Sequence, residues 1–195
     1  METVRKGAEA NICLTDGRII KERVSKAYRI PQLDAKLRRQ RTRREAKNLE
    51  RALELGLKVP KIIRHDEKAC IIELEYLDGE LVKDLFDRGE RIRELSRQIG
   101  ISLRRLHDGG LVHNDLTTSN LIAASDGVYI IDFGLGYHTE RLEDQAMDLV
   151  VFKKSIQATH TFHAKEIWDA LIGGYGPDKE MAKRVETIEG RVRYK

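Results

Sequence analysis

The eight residues HNDLTTSN at positions 113–120 bring together the side chains that a phosphate-transferring site needs. The carboxylate of Asp115 could accept the proton of an attacking hydroxyl group or water, and the amide of Asn120 could bind magnesium. Twelve positions after Asn120, the apolar stretch YIID ends in Asp132, which Phe and Gly follow. A buried strand there would deliver the Asp132 carboxylate to a cleft floor as a second magnesium ligand. The spacing therefore predicts a catalytic Asp115 and a metal site at Asn120 and Asp132.

This stretch resembles the catalytic loop of protein kinases, H-R-D-L-K-P-x-N, but Asn114 and Thr117 replace its two cations. In many kinases the arginine pairs with a phosphate on a long activation segment. Here only thirteen residues separate Gly134 from Asp148, and no A-P-E sequence follows. If Asp148 lies on the next helix, we expect a short link without a peptide-docking platform. The missing lysine removes a cation from the γ-phosphate, which predicts a slow enzyme or one that a partner completes.

Two upstream residues could complete the phosphate site. Lys21 lies on a predicted strand after the turn TDGR, from which its ammonium group could reach the α- and β-phosphates of ATP; a solvated strand lysine is the simpler alternative. Glu45, on a helix predicted at 31–55, could fix Lys21 through an ion pair, or it could pair with Arg41 on its own helix. Gly7, in KGAEANI, is the single glycine of the candidate phosphate-covering loop, where a typical kinase has three.

The adenine pocket can be placed by the same logic. The stretch IIELEYLDGE predicts a strand that runs into an extended hinge. Backbone groups near Glu75 and Leu77 would then pair with the adenine edge. Ile19, on the same strand face as Lys21, and Ile122, just past Asn120, could sandwich the ring. Such apolar side chains can equally be ordinary core residues.

Hydrophobic patterning divides the chain into two parts. Residues 1–77 predict an N-terminal lobe of one small sheet and one long helix, and residues 78–195 predict a mostly helical C-terminal lobe. Strands followed by helices favour an α+β class, here a minimal bilobal protein-kinase-like fold. The individual predictions are strands at 3–14 and 18–24, two strands around a turn at 65–68, a helix with apolar residues from Ile92 to Leu106, a hairpin turning at Asp126-Gly127, helices from about Arg141, and a last helix from Pro177.

Composition limits the classes of function. The 195 residues carry a net charge of +4 and have a pI of about 9.0, which favours an anionic partner. No stretch approaches the roughly 18 apolar residues of a membrane span, and the N-terminal sequence METVRKGAEA lacks an apolar signal segment. Cys13 and Cys70 are isolated, which indicates reduced thiols. We therefore expect a cytoplasmic protein with no membrane association.

Several longer stretches resemble one family. They are KGAEANI, IIKERVSKAYRIPQLDAKLRRQRTRREA, LVHNDLTTSN, IDFGL and EDQAMDLVVFKKS. All are similar to the small atypical kinase/ATPase subunit of the KEOPS complex, the archaeal and eukaryotic assembly that makes N6-threonylcarbamoyladenosine in tRNA. The likeness runs from residue 4 to the C-terminal tail. It departs at Asn114, where the family usually has glycine.

The resemblance implies a bilobal fold that binds ATP and Mg²⁺ between its lobes. It implies serine/threonine autophosphorylation by the isolated subunit and ATPase activity within the complex, where ATP turnover supports tRNA modification. It also implies two protein partners. A metal-containing threonylcarbamoyl-transferase subunit would dock on the C-terminal lobe, and a second small subunit would dock on the N-terminal lobe.

Two clusters of cations suggest contact with the phosphates of tRNA. One is the terminal group Arg191, Arg193 and Lys195, for which a disordered tail is the alternative. The other lies on the predicted long helix, where a solvated helix face is the alternative; its members are Lys36, Arg38, Arg39, Arg41, Arg43, Arg44, Lys47 and Arg51.

Two other classes of function remain open. RIO-type kinases and small-molecule phosphotransferases share H-x-D-x-x-x-x-N, although they generally lack the intact D-F-G found here. A non-catalytic RNA-binding scaffold with a vestigial ATP site would explain the missing cations but not the retained Lys21, Asp115, Asn120 and Asp132. His160 and His163 fit H-x-x-H, but with no third ligand in view we predict no metal site there.

Overall fold

The computed structural model describes residues 2–6 and 10–193, with side chains from residue 10 to residue 191. The N-terminal part is one antiparallel sheet with strand order β1-β2-β3-β5-β4 and one long helix, α1. Their bounds are β1 Glu2–Lys6, β2 Asn11–Thr15, β3 Arg18–Glu22, α1 Pro31–Glu54, β4 Ile62–Asp66 and β5 Ile71–Glu75.

The remaining chain contains two small sheets and five α-helices among the described residues. β6 pairs with β8, which pairs with β9, and β7 pairs with β10. The bounds are β6 Gly79–Leu81, α2 Val82–Asp87, α3 Ile92–Asp108, β7 Leu111–Val112, β8 Leu121–Ala124, β9 Gly127–Ile130, β10 Tyr137–His138, α4 Leu142–Thr159, α5 Ala164–Tyr175 and α6 Lys179–Arg193. A sheet lobe and a helical lobe confirm the predicted α+β class.

The first hairpin forms where the sequence predicts it. Asp16 and Gly17 link β2 to β3 with φ angles of 48° and 71°, the left-handed backbone that tight hairpin turns require. The strand predicted at 3–14 is wrong in its extent, because β1 ends at Lys6 and β2 begins at Asn11. The strand predicted at 18–24 is also shorter, since β3 ends at Glu22.

Helix α1 begins and ends at the predicted signals. Pro31 is its first residue, and Gly56 lies just past its end with a φ of 73°, a backbone that glycine adopts without steric cost. Its buried face mixes apolar residues with polar ones, including Glu45 and Asn48. Polar groups on the face of a helix that packs against a sheet need partners, and those partners form the site described below.

The C-terminal helices pack closely. Gly100 on α3 and Gly174 on α5 have no side chain to separate the two backbones. A Cβ atom at Gly100 would lie 2.1 Å from the carbonyl oxygen of Leu171, and one at Gly174 would lie 2.2 Å from that of Arg97. The apolar face predicted between Ile92 and Leu106 is buried. Met181, Val185 and Ile188 on α6 are buried as well, as predicted.

One continuous apolar cluster joins residues of both lobes, including Ile72 from β5 and Leu103 from α3. β5 ends at Glu75 within the large sheet, and β6 begins at Gly79 in the sheet with β8 and β9. A lobe boundary at residue 77 would fall between them. Across residues 2–6 and 10–193, none of the helices combines the length and hydrophobicity that a membrane crossing needs.

Candidate active site

Lys21 occupies the centre of the sheet and points into a cluster of charges. It pairs with Ile12 on one side and Ile72 on the other, and only 6% of its surface is exposed. Its Nζ atom lies 2.7 Å from Oε1 of Glu45 and 2.7 Å from Oδ1 of Asp132. The solvated-lysine alternative is therefore wrong, and three separate elements of the chain deliver the three predicted residues to one place.

Glu45 has a second cationic partner that the sequence analysis did not identify. Arg23 is buried, and its Nη2 donates to Oε2 of Glu45 while Lys21 donates to Oε1. Residues two apart on an extended chain point to the same face, so the spacing of Lys21 and Arg23 in IIKERV contained the signal. What the spacing could not show is that one helix carboxylate binds both.

Asp132 sits in a left-handed backbone conformation with a φ of 64°, which short polar residues tolerate better than most. Its Oδ1 accepts a hydrogen bond from the backbone N–H of Gly134, at 3.4 Å. Burial opposes ionisation of this carboxyl, but the neighbouring Lys21 ammonium and, to a lesser degree, Arg23 lower the pKa of Asp132 below its ordinary value. The group is thus held as an anion, the form that a cation ligand requires.

Helix α1 also fixes the backbone of the D-F-G turn. The side-chain amide of Asn48 donates to the carbonyl oxygens of Phe133, at 3.1 Å, and Gly136, at 2.8 Å. Asn48 is one helical turn past Glu45, so both side chains lie on the same buried face. A single helix therefore positions the ion-pair partner of Lys21 and the turn that follows Asp132.

One buried carboxylate holds the backbone of the loop that begins at His113. Asp148, on α4 and 1% exposed, accepts the backbone N–H groups of His113 and Asn114, each at 2.6 Å. Nε2 of His107 lies 3.3 Å from the same carboxylate. The prediction that Asp148 lies on the helix after the D-F-G turn is confirmed. Its anchoring role was not predicted from the sequence.

Asn114 explains the departure from the family pattern. Its φ is 62°, a left-handed backbone that glycine adopts freely and asparagine more readily than most other residues. The loop can therefore keep its shape with either residue.

Asp115 and Asn120 are linked within the loop. The amide group of Asn120 donates to the backbone carbonyl of Asp115, at 2.9 Å. Local desolvation raises the pKa of the Asp115 carboxyl above its ordinary value; His113 opposes this, and repulsion from Asp132 and Asp148 adds to it. A carboxylate with a raised pKa is a stronger base, as a proton acceptor requires.

The loop also contacts α2 and α4 through His160. Thr118 Oγ1 lies 2.8 Å from Nε2 of His160, and Nδ1 of His160 lies 2.9 Å from Oδ1 of Asp87. Burial lowers the pKa of His160 below its ordinary value, although Asp87 opposes this. With Nε2 unprotonated, a neutral His160 imidazole would accept a hydrogen bond from the Thr118 hydroxyl.

The predicted adenine-binding residues occupy neighbouring strands. Ile19 on β3 pairs with Leu74 on β5, and Ile122 lies on β8. The backbone N–H of Glu75 donates to the carbonyl of Lys61 at 3.0 Å. Of its two backbone groups, Glu75 could therefore offer only the carbonyl oxygen to the edge of an adenine ring. The adenine pocket, including Leu77, stays a prediction, and Gly7 lies outside the described residues.

The basic run on α1 is partly committed to internal pairs. Arg38 donates to Asp34 at 2.7 Å, and Arg43 donates to Glu67 at 2.8 Å. Of the terminal cations, Arg191 lies 3.0 Å from Glu143, and the side chains of Arg193 and Lys195 lie outside the described residues. The cations of α1 that remain exposed are Lys36, Arg39, Arg44, Lys47 and Arg51, besides Arg43 itself.

Comparison with known proteins places this geometry in a family. The model of the RIO domain matches residues 15–170. The chain is 39% identical to the KEOPS complex subunit Bud32 of Pyrococcus abyssi, over 100% of this chain and 97% of that protein. It is 40% identical to a bifunctional tRNA threonylcarbamoyladenosine biosynthesis protein of Methanothermobacter thermautotrophicus, of which it spans only 36%.

Solved structures agree on the fold. The bifunctional kinase-methyltransferase WbdD superposes with a TM-score of 0.61 at 15% identity, over 91% of this chain and 47% of that protein. A likeness at this identity concerns the fold alone, and it confirms the predicted kinase-like architecture. Because the same chain matches both a RIO domain and a KEOPS subunit, the KEOPS subunit and the RIO-type kinase are not mutually exclusive interpretations. The chain belongs to the RIO-domain family and, within it, to the group of the KEOPS complex subunit Bud32.

Proposed function

We propose that this protein binds ATP with magnesium between its lobes and transfers the γ-phosphate to water or to a serine or threonine hydroxyl. In this proposal it is the atypical kinase and ATPase of a KEOPS-type complex, where it supports threonylcarbamoyladenosine modification of tRNA in the cytoplasm. The observation that carries the proposal is the meeting of Lys21, Glu45 and Asp132 at 2.7 Å contacts. A buried charged cluster of this composition beside a loop with Asp115 and Asn120 is suited to phosphate chemistry.

Each residue would have a distinct role. Lys21 would bind the α- and β-phosphates while Glu45 keeps its ammonium group in place. Asn120 and Asp132 offer oxygen atoms, which magnesium prefers, and the bound ion would neutralise phosphate charge. Asp115 would orient the attacking hydroxyl or water and accept its proton.

The loop also predicts modest activity. Thr117 stands where most kinases have a lysine that reaches the γ-phosphate. Without that cation, less negative charge is neutralised in the transition state, so turnover should be slow. A partner protein that brings a cation to the cleft would be needed for a faster rate.

The relatives support the assignment to a complex. One is named as a KEOPS subunit, and another is a bifunctional protein of threonylcarbamoyladenosine biosynthesis. We place a threonylcarbamoyl transferase on the C-terminal lobe and a small subunit on the N-terminal lobe. Exposed cations on α1 and the basic end of the chain would contact tRNA phosphates, since such contacts need no specific sequence.

The competing function is a non-catalytic RNA-binding scaffold, which the absence of the two loop cations favours. ATP hydrolysis measured with and without tRNA and the transferase separates the two. An enzyme should show slow hydrolysis that the partners change, whereas a scaffold should show none above background.

The magnesium assignment has its own test. Asp132→Ala should abolish the magnesium-dependent part of ATP affinity, measured by titration calorimetry with and without the ion, because the metal loses a charged ligand. The exposed Asp169, which forms an ion pair with Lys165 on its own helix, supplies the control Asp169→Ala. Unchanged magnesium dependence in Asp132→Ala would show that the site lies elsewhere.

A further inference from the structure

Arg23 is a buried cation next to the proposed ATP site, and the chemistry described above gives it no role. It follows β3 directly, and its backbone N–H donates to the carbonyl of Cys70 at 3.0 Å. Its guanidinium group contacts Glu45, whose side chain is only 1% exposed. A charge buried to this degree needs compensation. Glu45 has two sources of it, Lys21 and Arg23.

The guanidinium group also lies against the D-F-G turn. A Cβ atom at Gly134 would be 2.5 Å from Nη2 of Arg23, which is closer than such atoms approach one another. Glycine at this position therefore leaves space for Arg23. The arginine is near enough to Asp132 to contribute to the lowered pKa of that carboxyl.

The charge balance of the cluster depends on Arg23. Lys21 and Arg23 supply two positive charges, and Glu45 and Asp132 supply two negative charges. Without Arg23 the cluster would carry one net negative charge. ATP is a polyanion, so a net negative cluster would repel it. Lys21 would also have to stay paired with Glu45 and could not turn to the phosphates, because a buried carboxylate that loses its cation is strongly destabilised.

We propose that Arg23 is a positioning residue that keeps Glu45 compensated, so that Lys21 can turn its ammonium group toward the phosphates of ATP. The inference rests on the proposed ATP site and deepens it. Arg23 itself need not touch the nucleotide. Together with the Asn48 contacts to Phe133 and Gly136, it joins β3, α1 and the D-F-G turn into one unit. In ordinary kinases the lysine–glutamate pair is controlled by activation-loop phosphorylation. Here Arg23 keeps the Lys21–Glu45 pair in place without phosphorylation.

The test compares ligands with and without phosphates. Adenosine and MgATP affinities are measured by calorimetry for the wild type, for Arg23→Gln and for the control Arg64→Gln, which removes an exposed β4 arginine 4.0 Å from Glu73. Arg23→Gln should weaken MgATP binding by at least about tenfold, since a buried carboxylate loses one of its cations, and should leave adenosine binding within about twofold. Arg64→Gln should change neither. Equal loss of both ligands would mean that Arg23 only maintains the cleft, and an unchanged MgATP affinity would also overturn the inference.

Two further variants separate charge from folding. Arg23→Lys keeps the charge and should bind MgATP more tightly than Arg23→Gln; equal affinities would contradict the electrostatic argument. Arg23→Gln combined with Glu45→Gln removes both partners, so no buried carboxylate at Glu45 is left short of a cation. The free energy of unfolding, measured by urea denaturation, should then recover relative to Arg23→Gln, and a further loss of stability would contradict the electrostatic argument. If the wild-type protein binds adenosine but not MgATP, the proposed function itself is wrong. This result is distinct from the variant outcomes, which concern only the role of Arg23.

Discussion

Replacing Asp148 by asparagine should loosen the loop that holds Asp115. The Asp148 carboxylate accepts two backbone N–H groups at 2.6 Å, from His113 and Asn114, and is 1% exposed. An asparagine side chain has one oxygen and would turn an NH₂ group toward the second N–H. The variant therefore loses one hydrogen bond to a charged acceptor, worth about 1.5–3 kcal/mol, and leaves a buried donor unsatisfied, at a further cost of about 1–3 kcal/mol. Because these costs overlap, we expect a loss of about 3 kcal/mol in the free energy of unfolding.

Urea denaturation and ATP turnover together test this reasoning. Asp169→Asn is the control, because Asp169 forms an exposed i,i+4 pair with Lys165 that contributes at most about 0.5 kcal/mol. The ATP turnover rate of Asp148→Asn should fall below that of the control even without urea, where both proteins are folded. A destabilisation under about 1 kcal/mol would refute the view that this carboxylate anchors the loop.

Three other predictions concern the loop, its surroundings and the end of the chain. Asp115→Asn should lower ATP turnover by at least about tenfold with little change in MgATP affinity; turnover at the wild-type rate would place the base elsewhere. Burial lowers the pKa of His160 from its ordinary 6.5, so the unfolded chain binds more protons, and stability should fall as the pH drops through that value. Urea denaturation between about pH 7.5 and 5.5 should show this slope in the wild type and a flatter one in His160→Gln; identical slopes would contradict it. Removing residues 191–195 takes away three cations, so the dependence of log tRNA affinity on log salt should become shallower by about two. If affinity and slope stay unchanged, the RNA contacts must come from α1 or from partners.

The parts of the fold that local chemistry determines were predictable. Pro31 and Gly56 delimit α1 because proline suits a first helical turn and glycine suits the backbone after the last. The Lys21–Glu45 pair was predictable because both residues recur at the expected places of a known arrangement. The first strand was not, since its pattern does not show that β1 and β2 are separate strands.

Long-range contacts mark the limit of sequence reasoning. Asp148 and the two N–H groups that it accepts are separated by more than thirty residues, and nothing local to α4 distinguishes Asp148 from a surface carboxylate. Asn48 is similar, because an asparagine within a helix usually faces water, and only the approach of the D-F-G turn makes it a buried donor. Such partners become visible only when separate elements pack together.

The arginine and the lysine that are missing from the loop have different consequences. The usual arginine would hold a long activation segment. Here the link is short, Tyr137 pairs with Val112, and Asn48 binds the carbonyl of Gly136, so an arginine would have nothing to hold. Asn114 instead serves the backbone turn.

The lysine is a real loss, because Thr117 cannot neutralise phosphate charge and Arg23 is engaged by Glu45. In the proposed reaction, the transition state would therefore lack a cation that the described residues do not supply, and a basic segment of a partner protein would be the simplest source for one. Stimulation of ATP hydrolysis by the assembled complex, and not by tRNA alone, is what this deficit requires.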